Sequence, residues 1–302
     1  MTGEQGGNRS RRLTRRHALI LGAIGVTGAT AGTAALLTGA AQGADTTPRD
    51  DDGEAGGDMY PTNTALYADP SLREGRDWAR RYRKHAVFDD AQGESPAFGG
   101  MAVLAPHGGG IERGTSELCL AVAGYRPADL TPLGGPLYDY WMFEGLLADR
   151  NARLHVTSTH CDDPVALALA GGSRTALSLH GCTAGQAGAT GDRRAVVIGG
   201  RDAEFRRVTR TALQTAGFQV VDGAGVPSLA GQAADNLVNR TLSGAGVQLE
   251  LTTELRDAMF APGKNTVAAR AANTTGTFDA FVRAIRTAIA TRDRDPNVRV
   301  RV

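Results

Sequence analysis

The chain has 302 residues, of which 41% are hydrophobic and 22% are charged, and its formal net charge is +1 at pH 7. This length and apolar content are enough for one large domain with a single α/β core. The near-neutral charge gives no reason to expect nucleic acid or an anionic membrane surface as a partner.

The first 44 residues have the pattern of an export signal. Arg11-Arg12 and Arg15-Arg16 precede the apolar stretch Ala18–Leu37, and small residues follow over Gly39–Ala44. The paired arginines favour the twin-arginine export machinery, which carries folded proteins, so we expect a secreted protein. The alternative is a membrane anchor, but the stretch is close to the minimum spanning length of roughly 18 to 20 residues. We therefore expect no stable membrane span in the mature form.

An acidic, glycine-rich segment separates this signal from the folded part of the chain. Residues 45–60 show no apolar periodicity and are expected to form a disordered linker. We assign residues 61–302 to a single domain, in which 61–83 are polar, helical in places and form an outer decoration of the core.

Beyond residue 84, short apolar runs alternate with amphipathic segments. This alternation predicts a three-layer α/β domain with a mixed, mostly parallel sheet flanked by helices. In such sheets, functional sites lie beyond the carboxyl ends of the strands. The predicted strands are 85–88, 101–105, 138–144, 153–157, 175–180, 195–199, 218–221 and 247–251, and the predicted helices are 115–123, 164–170, 203–216, 252–260 and 278–291.

A glycine-rich segment follows the second predicted strand and carries an imidazole and a carboxylate. In His107-Gly-Gly-Gly-Ile-Glu112, three glycines let the backbone fold back tightly, so both side chains can point at one spot. A neutral imidazole and a carboxylate are natural zinc ligands, and a catalytic zinc site usually takes three protein ligands. Glycine runs also occur in purely structural turns, and the segment alone leaves that alternative open.

Two further strands carry side chains of the same kind. His180 ends a short buried strand, and Glu250 lies on a strand whose other face is apolar. Burying a carboxylate alone is costly, so Glu250 must meet a partner or water. Two histidines and two glutamates at strand ends or on a strand form a plausible metal-hydrolase constellation.

The order of four sequence blocks resembles the poly-γ-glutamate hydrolases of phages and bacteria, which are distant relatives of zinc carboxypeptidases. The resemblance extends roughly from Ala86 to Ile289. The blocks are His107–Glu112 with Gly114–Glu117, Leu154–Ser158 with Asp163-Pro164, Ser178–Cys182, and Gly246–Glu250.

This resemblance implies a zinc-carboxypeptidase-like fold and a zinc-dependent hydrolase of γ-glutamyl bonds. It implies that His107, Glu112 and His180 bind Zn²⁺ and that Glu250 is the catalytic carboxylate. The first pair departs from the carboxypeptidase pattern, because four residues separate His107 from Glu112 where carboxypeptidases have two. That spacing argues against an ordinary C-terminal exopeptidase.

The implied substrate is an anionic γ-glutamyl polymer or peptide, so the site needs fixed positive charge. A guanidinium can grip a carboxylate through two hydrogen bonds. Arg256 is the first candidate for substrate binding, and Arg113, beside a proposed ligand, is the second. The alternative for both arginines is a surface ion pair.

Other polar residues are expected to have structural roles. Glu117 is expected to stabilise a helix dipole, His155 to be a structural histidine within a strand, and Asp202 to cap a helix. His160 follows a predicted strand, and its contact with metal or substrate is the less favoured alternative. Three cysteines, Cys119, Cys161 and Cys182, leave one disulfide possible.

The residues predict zinc-assisted amide hydrolysis, and the resemblance implies that the substrate is a γ-glutamyl amide of poly-γ-glutamate. Two alternatives remain open. One is a zinc amidase or carboxypeptidase-like enzyme that acts on other peptides, such as cell-wall peptides. The other is an exported binding module without catalysis, against which the full ligand set and Glu250 argue.

Overall fold

The computed structural model describes residues 57–85 and 98–293. The predicted export signal and residues 45–56 of the predicted linker lie outside the described residues. Within the described ranges, no helix has the length and apolar character needed to cross a bilayer.

A mixed seven-stranded sheet forms the centre of the described fold. Its strand order is β1-β3-β2-β4-β7-β5-β6. Four of the six neighbouring pairs are parallel, and the β1–β3 and β5–β7 pairs are antiparallel. The strands are β1 Trp78–Arg83, β2 Phe98–Gly109, β3 Leu137–Gly145, β4 Thr175–Cys182, β5 Ala195–Gly199, β6 Gln219–Asp222 and β7 Val247–Thr252.

Helices cover both faces of this sheet. They are α1 Asn63–Tyr67, α2 Thr115–Ala123, α3 Pro164–Gly171, α4 Ala203–Thr215, α5 Thr253–Ala258 and α6 Gly276–Asp293. Strand β2 shows the alternation that makes three layers: Met101 and Val103 belong to the core cluster under α2, α4 and α6, whereas Ala102 and Leu104 belong to the cluster under α3. The predicted three-layer α/β architecture is confirmed.

The sequence did not predict the edge strand, and the predicted strand 85–88 falls mostly outside the described residues. Only His85 of the predicted strand 85–88 is described, and it lies outside any strand. The edge strand is β1, within the segment that we expected to be a decoration. Its sequence, Trp-Ala-Arg-Arg-Tyr-Arg, carries the charges that protect sheet edges from further pairing, and these obscured the apolar alternation.

The predicted strand 153–157 is instead a 3₁₀ turn, Asn151–Leu154, followed by extended chain. The turn is fixed because the Asn151 side chain accepts from the Leu147 N–H at 2.9 Å and donates to the Leu147 carbonyl at 2.8 Å. The Thr157 N–H donates to the Asp58 carboxylate rather than to a neighbouring strand. These side-chain partners take the place of a strand ladder.

Candidate metal centre

The glycine-rich segment forms a tight turn at the carboxyl end of β2. The Glu112 N–H donates to the His107 carbonyl at 2.9 Å, so the chain doubles back within six residues. Gly109 has φ = +66°, and a Cβ there would collide with the backbone carbonyl of Gly145 in β3. Only glycine fits this close approach, which explains the glycine at position 109.

This turn brings three predicted ligands to one point. Nδ1 of His107 lies 2.9 Å from Oε1 of Glu112, and Nδ1 of His180 lies 3.2 Å from Nδ1 of His107. Nδ1 of His180 is also 3.9 Å from Oε2 of Glu112. His180 reaches the cluster from β4, which pairs with β2 nearer the start of both strands. The sequence prediction that these three side chains converge is matched by the geometry.

The outer nitrogens of both imidazoles are held by the surrounding protein. Nε2 of His107 donates to the Val156 carbonyl at 2.9 Å, because a carbonyl can only accept. With Nε2 used in that bond, Nδ1 is the ring nitrogen that faces Glu112 and His180, and it can bind a cation once it is deprotonated. Nε2 of His180 lies 2.8 Å from the Ser178 hydroxyl and 3.4 Å from that of Ser158. Such outer contacts fix the tautomer and orientation of metal-binding histidines.

Burial and mutual charge set the protonation of the three groups. Burial alone would raise the pKa of Glu112, but His107 and His180 outweigh it and lower that pKa to about 2. Burial and the neighbouring His107 lower the pKa of His180 to about 3. Burial opposes protonation of His107 as well, but Glu112 outweighs it and raises the pKa of His107. The cluster therefore presents a carboxylate and a neutral imidazole at neutral pH.

The donor set fits a divalent cation. Oε2 of Glu112 is one of the buried side-chain atoms of the described chain that has no hydrogen-bond partner. Ligands about 2.0–2.1 Å from a tetrahedral zinc ion are roughly 3.4 Å apart, and the observed separations of 2.9, 3.2 and 3.9 Å bracket that value. Two facing ring nitrogens beside a carboxylate are stabilised by a cation between them.

Glu250, the predicted catalytic carboxylate, lies beside this cluster. It stands opposite His180 in the β4–β7 ladder and is 5% exposed. Burial and the nearby Glu112 raise its pKa well above the ordinary value for a glutamate. A raised pKa makes the carboxylate a stronger base than that of an exposed glutamate.

The two arginines predicted to bind substrate have different surroundings. Arg256 borders the same cleft as Glu250, but it is 2% exposed and donates to the carbonyls of Leu251 and Arg113 and to the Thr253 hydroxyl. Arg113 is half-buried and is not among the residues lining the described cleft. Burial and the charge of Arg270 lower its pKa. Substrate binding by either arginine stays a prediction.

The cluster opens into a cleft of about 820 Å³, within the size range of small-ligand sites. One wall includes two residues that sequence reasoning did not assign to it, Asp58 and His155. The Asp58 carboxylate lies 2.7 Å from Nδ1 of His155, and the ring centroids of His155 and His107 are 3.9 Å apart. His155 is therefore not a strand histidine within the core. A 97-residue separation hid the Asp58 contact from sequence inspection.

Glu117 and Asp202 both have additional partners. Glu117 accepts from Nε of the buried Arg270 at 3.1 Å, and Nη2 of Arg270 donates to the Gly109 carbonyl at 3.0 Å. Arg270 thus links α2 to the glycine-rich turn that carries His107 and Glu112. Asp202 caps α4 as predicted and also pairs with Arg292.

His160 is exposed, with Nδ1 3.6 Å from Asp58. The three cysteines are buried free thiols.

Comparison with known proteins identifies one family. The family model described as poly-gamma-glutamate hydrolase matches residues 95–284 of the chain. A structure of a bacteriophage poly-gamma-glutamate hydrolase is 30% identical, with a TM-score of 0.62, and the match covers 78% of this chain and 98% of that one. A structure of YndL, described as zinc-free apo, has the same coverage and TM-score at 28% identity.

Two proteins of Bacillus subtilis strain 168 are also similar. The SPbeta prophage-derived protein YoqZ, of the group UPF0714, is 35% identical over 160 residues, which are 53% of this chain and 52% of that protein. YndL is 33% identical over 160 residues, which are 53% of this chain and 56% of YndL. The chain therefore spans about half the length of these relatives.

Proposed function

Because the chain belongs to the poly-γ-glutamate hydrolase family, we propose that it is a zinc-dependent hydrolase of γ-glutamyl amide bonds in poly-γ-glutamate. The observation that carries this proposal is the convergence of His107, Glu112 and His180 beside the buried Glu250 in one cleft. A non-catalytic binding module would have no need for a carboxyl group with a raised pKa at that position.

His107, Glu112 and His180 would hold the zinc ion. Zinc bound by such a set supplies a Lewis acid that polarises a carbonyl and makes water more acidic. Support for zinc comes from the donor set itself, from the partnerless Oε2 of Glu112, and from a similar protein whose structure is described as zinc-free. The Val156 carbonyl and the Ser178 hydroxyl would keep both imidazoles aimed at the ion.

Glu250 would move the proton. Its carboxylate would accept a proton from the water that attacks the scissile carbonyl, and it would return that proton to the nitrogen of the leaving amine. Its position opposite His180 keeps it close to the ligand cluster. Burial and Glu112 raise the pKa of Glu250, which makes its carboxylate a stronger acceptor for the proton of water.

The substrate carries one free carboxylate on every residue, which calls for positive charge in the cleft. Arg153 and Arg256 are the arginines among the residues lining the cleft. We propose that Arg256 acts chiefly through its charge, since three of its N–H groups already donate within the protein. Arg113, whose backbone carbonyl accepts from Arg256, would also contribute through its charge.

The proposed function is tested with purified protein lacking the export signal. We expect about one zinc per chain and a fall in the chain length of poly-γ-glutamate, measured by product sizing. Faster cleavage of ordinary α-peptides or cell-wall peptides would overturn the substrate assignment and leave a zinc hydrolase of other specificity. Bound zinc without hydrolysis of any of these would favour the binding module.

We also propose that the protein is secreted by the twin-arginine route, on the strength of Arg11-Arg12 and Arg15-Arg16 before the apolar stretch. Replacing both arginine pairs by lysines should keep the protein in the cell, while a single replacement at Arg49 should not. Unchanged secretion of the lysine variant would contradict this route.

A further inference from the structure

Glu250 has a hydrogen-bond donor of its own on the same strand. Gln248 lies two residues before it in β7, and both side chains therefore point to the same face of the sheet. Nε2 of Gln248 donates to Oε1 of Glu250 at 2.8 Å. Gln248 is 5% exposed, so the bond is shielded from water.

The direction of this bond is fixed by a second amide. The backbone N–H of Val238 donates to Oδ1 of Asn236 at 3.1 Å, and a backbone N–H can only donate. The nitrogen of the Asn236 side chain must therefore face the other way, where it donates to Oε1 of Gln248 at 2.9 Å. With its oxygen so engaged, Gln248 can present only nitrogen to Glu250.

The loop behind Gln248 leaves it little room to turn aside. Gly231 has φ = +58°, and a Cβ there would lie 2.8 Å from Oε1 of Gln248. Nδ2 of Asn239 donates to the carbonyls of Gly231 and Ala233, both at 2.8 Å, and so holds this loop in place. The backbone and one buried asparagine thus confine the glutamine.

We propose that Gln248 and Asn236 are positioning residues for hydrolysis, which hold the Glu250 carboxylate in its working orientation through a directional relay of amides. The inference rests on the proposed function, because it requires Glu250 to act as the base. Glu250 is buried near a second carboxylate, Glu112, so a fixed donor on one oxygen keeps the side chain from turning away.

The sharpest test is Asn236→Asp, which is nearly isosteric. The new carboxylate still accepts from the Val238 N–H, but it places an oxygen opposite Gln248. The Gln248 amide then turns over and presents its oxygen to Glu250, so two acceptors face each other. We expect kcat on poly-γ-glutamate to fall about 10–100-fold, the value of one hydrogen bond to a charged group, with KM and zinc content unchanged.

A double-mutant cycle with Gln248→Met shows whether the effect passes through the relay. Gln248→Met keeps the volume and removes the donor, so it should lower kcat to a similar degree. Adding Asn236→Asp should then cause no further loss. Should Asn236→Asp not fold, as judged by circular dichroism, Gln248→Met decides alone: the same loss of kcat supports the proposal, and unchanged kcat overturns it.

Other outcomes would also overturn the relay. These are wild-type kcat in Asn236→Asp, an equal loss in both backgrounds, or a rise in KM, which would mean that Gln248 contacts the substrate. Glu250→Gln is measured alongside. Near wild-type turnover in Glu250→Gln would remove the base and the relay together, whereas an inactive Glu250→Gln with an active Asn236→Asp would remove the relay alone.

Discussion

Replacing Glu250 by glutamine should make the enzyme slower and the protein more stable. The substitution keeps the shape of the side chain, and the Gln248 amide can still donate to the new side-chain oxygen. It removes the group that accepts the proton, which typically lowers the rate by about 10²–10⁴-fold. At about 1.36 kcal/mol per tenfold, this loss corresponds to about 2.7–5.4 kcal/mol in the activation free energy.

The gain in stability follows from the raised pKa of Glu250, which is caused by burial and by Glu112. A carboxyl group with a folded-state pKa above the unfolded value of about 4.3 costs stability as pH rises from that value through the folded-state pKa. Each unit of elevation corresponds to about 1.36 kcal/mol of unfolding free energy. Below about pH 4 the carboxyl is protonated in both states, so the cost disappears.

The assay compares urea unfolding of the two chelator-treated proteins at about pH 4 and about pH 8. The glutamine variant should gain stability over the wild type as pH rises, while its turnover with zinc falls. Glu254→Gln is the matched control, because Glu254 is half-buried and pairs with the exposed Arg193. A stability difference independent of pH, or near wild-type turnover, would refute the assignment of Glu250 as a buried base.

The remaining predictions concern the proposed zinc ligand His180, the buried Arg256 near Glu250, and Arg270, which links α2 to the glycine-rich turn. His180→Ala should lose bound zinc and activity, and full zinc occupancy by elemental analysis would remove His180 from the ligand set. Arg256→Ala should lower kcat/KM by an amount equivalent to about 1.5–3 kcal/mol of transition-state stabilisation, with zinc content unchanged, once rates are normalised to folded protein. An unchanged kcat/KM would leave Arg256 a structural residue. Arg270→Met should lower the unfolding free energy by about 3–5 kcal/mol, because it leaves Glu117 buried without its partner, and adding Glu117→Gln should recover part of that loss. Strictly additive losses in urea unfolding would contradict this coupling.

Short-range patterns carried most of the prediction of the fold. Helix α2 begins at Thr115 and ends at Ala123, as expected, because glycines flank it on both sides. Strand β5 also has its predicted bounds, since Ala195–Gly199 is apolar throughout and buried. Apolar periodicity could not identify β1, where edge charges interrupt the alternation, or the turn at Asn151, which a single side chain fixes.

The convergence of His107, Glu112 and His180 was predictable because these residues lie in short segments at strand ends. His107 and Glu112 share one turn, and His180 ends an apolar run. Its support was not predictable in the same way. Asp58 meets His155 across 97 residues, and Arg270 meets Glu117 across 153, so each contact depends on the folded topology rather than on any local pattern.

The pairing of His180 with Glu250 makes the spacing of the site a property of the main chain. Neighbouring strands in a sheet lie about 4.8 Å apart, whatever side chains they carry. Loops around the cleft can therefore lengthen or change without altering the separation of His180 and Glu250. A slip of one residue between β4 and β7 would instead turn one of the two side chains to the opposite face. We therefore expect substrate preference to evolve through changes in the loops. The pairing of β4 with β7 would keep the spacing of His180 and Glu250 constant during such changes.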